Sequence, residues 1–178
     1  MAIPLQTKVA PALKLPDVGD AVVVAVAYEE TVPLYEYRED GQKIRALTQD
    51  KKERNQLRLS VVVISGKAIT GKEDEPVAPG EEAVIFLSGH NWFSYIEASK
   101  KLGGVNVGDV MQWKFDREEP GKGREPKKIR ATTLRHAKPE EAETVAKCEA
   151  IYRRITSTPL TSAAPAPVAD FEDDEEPF

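Results

Sequence analysis

The 178-residue chain is poor in the residues that build disulfides, metal centres and membrane spans. It has one cysteine, Cys148, which excludes an internal disulfide and a zinc site built from several cysteines. The two histidines, His90 and His136, lack the spacing of a metal-binding pair. No run approaches the roughly 20 apolar residues of a membrane helix. The N-terminus lacks the basic-then-apolar pattern of a signal peptide. Gly121-Lys122-Gly123 lacks the rest of a phosphate-binding loop and reads as a turn. No carboxylate pair stands out from acidic surface runs. These absences predict a soluble intracellular protein with no membrane partner, no cofactor and no catalytic centre.

What is present is charge, unevenly placed. The net charge of −5 argues at first against nucleic acid. Residues 156–178, however, contain no Lys or Arg and six acids. Residues 1–155 carry 25 basic and 24 acidic residues, a net of +1. Within them, residues 43–58 reach +4 through Lys43, Arg45, Lys51, Lys52, Arg54 and Arg58 against Asp50 and Glu53. Residues 114–138 carry nine bases against four acids, a net of +5. Two basic segments in an acidic remainder predict one positive surface; a solvated mixed surface is the plainer alternative.

The hydrophobic pattern gives the elements. Strands are expected over 21–28, with Val22, Val24, Val26 and Tyr28 on one face, and over 57–65, with Leu57, Leu59, Val61 and Val63 inward. A polar stretch turning at Asp40-Gly41 separates them and holds a hairpin over 32–47. Residues 66–81 read as loop and 82–88 as a third strand. A helix over 91–102 starts at a capping Asn91 and stops at Gly103-Gly104. A fourth strand, 109–116, points Met111, Trp113 and Phe115 one way; a basic loop over 117–127 leads to a fifth, 128–135. A last helix, 139–155, carries an apolar stripe of Val145, Cys148, Tyr152 and Ile155, where Cys148 is expected as a buried structural thiol. Residues 157–169 bury too little apolar surface to order and read as an extended linker.

Three strands, a helix, two strands and a helix do not alternate as a parallel α/β fold would. The order predicts a mainly β protein: a single OB-fold, the five-stranded Greek-key barrel with a helix between strands 3 and 4, a C-terminal helix and a disordered acidic tail. The domain would be 1–138, the helix 139–155 and the tail 156–178. The helix packs on its own barrel or forms a homodimer contact. An OB barrel binds oligonucleotides on a strand face and two loops, here 29–56 and 117–127, which contain most of the two basic segments.

The last nine residues are Asp170-Phe171-Glu172-Asp173-Asp174-Glu175-Glu176-Pro177-Phe178. They resemble the acidic C-terminal tip of bacterial and phage single-stranded DNA-binding proteins, which end in Asp-Phe, several acids, Pro and Phe. Glu176 departs from the aliphatic residue of the bacterial pattern. Leu15-Pro-Asp-Val-Gly-Asp20 and Val107-Gly-Asp-Val-Met-Gln-Trp-Lys-Phe115 resemble phage members, over a looser stretch of 15–136. The resemblance implies a protein of a bacterial host's cytoplasm that coats single-stranded DNA in replication, recombination and repair. It also implies a tip, Asp170, Phe171, Asp173, Asp174, Glu175, Glu176, Pro177 and Phe178, that recruits replication and recombination enzymes. A terminal Phe is an aromatic anchor whose carboxylate pairs with partner cations. A linker of about 14 residues reaches roughly 20 Å, far enough for the tip to compete with DNA on the body. The plainer alternative is a solubilising tail.

Sequence-tolerant binding of single strands needs cations for phosphates and aromatic faces for bases. The expected cations are Arg45, Lys51, Lys52, Arg54 and Arg58, with Lys114, Lys122, Arg124, Lys127, Lys128 and Arg130. The expected stacking rings are Tyr35 and Tyr37, on one side of an extended segment. Trp113 and Phe115, like Trp92, Phe93 and Tyr95, are expected in the core. An RNA-binding OB module and an acidic-tailed protein–protein adaptor are the rival functions.

Overall fold

A computed structural model describes residues 10–70, 74–121 and 125–157. Lys122, Arg124 and the whole acidic tip lie outside the described residues. The chain runs β1 (Leu13–Lys14), β2 (Ala21–Pro33), β3 (Tyr35–Tyr37), β4 (Lys43–Arg45), β5 (Asn55–Gly66), β6 (Ile69–Thr70), β7 (Glu82–Leu87), α1 (His90–Leu102), β8 (Val110–Glu119), β9 (Lys127–Arg135), a short 3-10 turn (Pro139–Glu141) and α2 (Ala142–Thr156). Five strands form one antiparallel sheet in the order β7-β5-β2-β8-β9. β3–β4 is a separate hairpin, and β1 pairs with β6 inside the stretch expected as loop. Among the described residues no helix is long and apolar enough to cross a membrane.

The sheet is open: no hydrogen bonds join β7 to β9. Each free edge is blunted in its own way. On β7, the Val84 amide donates to the Pro11 carbonyl at 2.9 Å. On β9, side chains of α1 replace a strand. The Arg130 amide donates to Asn91 Oδ1 at 2.9 Å and the Thr132 amide to Ser94 Oγ at 3.1 Å. Asn91 therefore lies inside α1 rather than capping it, and Gly89 precedes the helix. The stop is as expected: Gly103 adopts φ 84° and its amide and that of Gly104 close onto Lys100 and Ser99.

Alternation on β2 and β5 sorts the core. Val22, Val24, Val26, Leu57, Leu59, Val61 and Val63 meet Met111, Trp113 and Phe115 from β8 and Trp92 and Tyr95 from α1. The other face carries Ala25, Ala27 and Val62, small enough for α2 to seat Cys148 and Ile151. α2 thus packs on its own sheet, and burial pushes the Cys148 thiol up to about 11. Ile151 was not in the expected stripe, whereas Tyr152 is exposed. A bulge between Val26 and Tyr28 breaks the alternation. Tyr28 consequently leaves the face of Val22, Val24 and Val26, and its ring lies 6.1 Å from that of Tyr152. Past the bulge the exposed Glu29 falls on the Tyr95 side of the sheet and accepts from Tyr95 Oη at 2.7 Å. Burial, reinforced by this carboxylate, pushes the Tyr95 phenol far above its ordinary value.

Gly66 ends β5 with φ 110°, and a Cβ there would lie 2.4 Å from the Ala21 carbonyl oxygen. Only glycine permits that approach.

Candidate nucleic-acid interface

The hairpin joins the first two long strands. Its register, Tyr35 opposite Arg45 and Tyr37 opposite Lys43, sets two tyrosines and two cations on one face. The turn at Asp40-Gly41 forms as expected, with the Gln42 amide donating to Asp40 Oδ1 at 2.9 Å. Tyr37 is 73% exposed. The Tyr35 ring carries Lys43 Nζ 4.1 Å from its centroid and the Arg45 guanidinium carbon at 5.6 Å. Lys43 belongs to the basic segment but was not among the expected contacts.

The cations of this first segment are largely engaged. Arg45 donates to Asn55 Oδ1 at 2.9 Å and to the Leu34 carbonyl at 3.4 Å, and lies 3.5 Å from Glu53. It ties the hairpin to β5. Arg58 lies 3.4 Å from Glu30. Lys51 and Lys52 are exposed on a turn in which Lys51 takes φ 62°, and Arg54 is half-buried. Arg58 also stands opposite Phe86 on β7. Phe86 is 41% exposed, an aromatic face beside a cation. The sequence signal was there: Ile85 and Leu87 are core, so Phe86 must face away.

The second segment differs. Lys114 and Lys128 are exposed and Lys127 is half-buried, with Lys127 opposite Glu119 and Lys128 opposite Glu118. Arg117 is held by Asp116 at 2.6 Å and Glu119 at 2.9 Å, and these carboxylates raise its pKa. Arg130 turns inward. Its guanidinium carbon lies 5.3 Å from the Trp113 ring centroid and 5.4 Å from that of Phe115. Burial holds its pKa below the ordinary arginine range.

Strand register separates the segments. The hairpin follows Pro33 at the C-terminal end of β2, while Lys114 pairs with Ala21 at the other end and β8 runs on to Glu119. β2 has 13 residues, about 40 Å of strand. A ligand touching both segments must therefore cross the sheet.

Trp92, Tyr95, Trp113 and Phe115 are buried, as expected, but Phe93 is 56% exposed. It lines a groove of about 540 Å³ between α1 and β9. Among the described residues no cluster of His, Cys, Asp and Glu could hold a metal ion. No family model, curated protein or solved structure matches the chain.

Proposed function

We propose that this chain is a non-catalytic single-stranded DNA-binding protein of OB type. It coats transient single strands in replication, recombination and repair, and recruits enzymes of those processes through residues 170–178. The observation that carries the reading is the hairpin face. Tyr35, Tyr37, Lys43 and Arg45 present rings and cations together on a protruding two-stranded element, the pairing that single-strand binding requires.

Topology supports the OB part. In space β8, β2, β5 and β7 lie side by side. Counting the first four strands of this sheet in chain order, that spatial order is 4-1-2-3, the order of a Greek key, with β9 added beyond β8. The helix lies on the connection between its third and fourth strands. We read the open sheet as a barrel parted along the β7–β9 seam, with α1 filling the gap. The resemblance of the acidic segment supports recruitment and competition with DNA for the basic surface.

The test is fluorescence anisotropy of labelled oligo-dT across a salt series, with the full chain and a chain ending at Ala169. Affinity should fall linearly in log–log form with salt, because phosphate contacts release counterions. Truncation should preserve or tighten DNA binding and abolish capture of partner enzymes. No binding at low salt overturns the reading. Stronger binding to a matched oligo-rU than to oligo-dT would reassign the module to RNA, where the 2′-hydroxyl is recognised.

A further inference from the structure

The α1–β9 groove contains a cation that the fold leaves without an acid. Among the described residues the Arg130 side chain makes no hydrogen bond and no ion pair, and its Nε is buried without a partner. The two acids lining the same groove pair with other cations, one of them Arg117, which lines the groove too. Asp116 pairs with Arg117 at 2.6 Å, and Glu97 with Lys100 at 3.4 Å. Arginine stays charged in a protein and has five donors in a planar fork. The guanidinium carbon lies 5.3 Å from the Trp113 centroid and 5.4 Å from that of Phe115, and Arg130 lines the groove. Two further buried polar atoms on the same strand pair, Trp113 Nε1 and Thr132 Oγ1, also lack partners.

The opposite wall supplies an aromatic face. Phe93 projects from α1 with 56% of its surface exposed and lines the groove. Lys101 is exposed on the same rim. Lys127 and Lys128 precede Arg130 on the same strand.

We propose that this groove is a nucleotide subsite: the Arg130 fork receives one phosphate of the strand and Phe93 stacks its base. The subsite rests on the single-strand reading above and extends it to a face of the sheet outside the hairpin. A bidentate guanidinium–phosphate contact orients the backbone as well as neutralising it. A strand entering from the β8–β9 loop would pass Lys128 before reaching Arg130.

The test uses the full chain, labelled with ¹⁵N, and an oligo-dT of about 15 nucleotides, within the site sizes typical of OB folds. The Arg130 Nε–Hε cross-peak should shift on titration. Phe93→Ala should weaken binding by roughly five- to hundredfold and leave the salt slope unchanged. Arg130→Gln should reduce the slope of log K against log salt by about 0.7. Arg130→Lys, which keeps the charge but loses the fork, should restore the slope without restoring full affinity. If the wild type binds, Tyr37→Ala weakens it, and both the Arg130 cross-peak and Phe93→Ala affinity are unchanged, the subsite is wrong and the hairpin reading stands. If the wild type fails to bind any oligo-dT, both fall. If the groove responds instead to a peptide of residues 170–178 and not to oligo-dT, it is a peptide site and the nucleotide assignment is overturned.

Discussion

The two basic segments have nearly the same net charge in the sequence, yet the fold uses them differently. In the first, Arg45 is bonded to Asn55 and Leu34, Arg58 to Glu30, and Lys43 lies against Tyr35. In the second, Lys114 and Lys128 are exposed, and Arg130 lies against two rings and makes no ion pair among the described residues. Formal charge is thus a poor measure of available charge. A cation that has already found a carboxylate inside the fold must give it up before it can receive a phosphate. The first segment offers aromatic surface on a tethered hairpin; the second offers Lys114, Lys128 and Arg130, while its Arg117 and Arg135 are held by carboxylates.

That contrast can be broken at several points. The largest effect is expected from reversing the second segment. Lys127→Glu with Lys128→Glu should lower oligo-dT affinity by roughly a hundredfold at low salt, two phosphate contacts being lost and repulsion added. An unchanged affinity would remove the β8–β9 end from the interface. Tyr37→Ala should cost about 1–3 kcal/mol of binding with no change in the urea midpoint, because the ring is 73% exposed. If neither it nor Tyr35→Ala weakens binding, stacking lies elsewhere, with Phe86 the next ring to test.

Arg45→Ala should act on the fold instead. Losing its bonds to Asn55 and Leu34 should lower unfolding free energy by about 1–3 kcal/mol, while Lys128→Ala should stay within about 0.5 kcal/mol. The reverse ranking in urea titrations would invalidate the distinction between engaged and available cations. The smallest effect concerns pH. Glu141 accepts from both Arg135 guanidinium nitrogens, at 2.6 and 2.9 Å, and from the Lys138 amide at 2.8 Å. These bonds hold its carboxyl near 2 against an ordinary 4.5. A depressed acid stabilises the fold above its unfolded value, and that contribution disappears as pH falls from about 4.5 towards 2. Screening at a surface pair limits it to about 1 kcal/mol. Glu141→Gln should flatten the acid limb of a stability–pH profile by that amount.

Much of the architecture was legible in the chain. Strict alternation in Leu57–Val63 and Met111–Phe115 named the inward residues of β5 and β8, and Gly103 marked the end of α1. Alternation failed where the backbone stepped out of register. The bulge at Val26–Tyr28 moved Tyr28 to the α2 side and brought Glu29 to the side of Tyr95, and nothing local to Ala-Val-Ala-Tyr announces that step. Asn91 illustrates a different failure. Its residue type suits a helix cap, but its acceptor was taken by a strand 39 positions away. Of the proposed interface, the hairpin face was readable from Tyr35 and Tyr37 at period two, and Phe86 could have been read by the same rule. Phe93 could not, because an aromatic at the start of an amphipathic helix looks like core until the neighbouring elements are in place.

Local chemistry along the chain therefore determined the strands, the helices, the hairpin face and the separation of basic from acidic segments. Each of these depends on periodicity or on residues a few positions apart. Tertiary structure alone decided that α1 seals the β9 edge, that the two basic segments sit at opposite ends of β2, and that Arg130 is left without an acid. Those outcomes depend on which carboxylates and amides from distant parts of the chain the fold brings to the same place, and pairing over such distances leaves no mark in a local pattern.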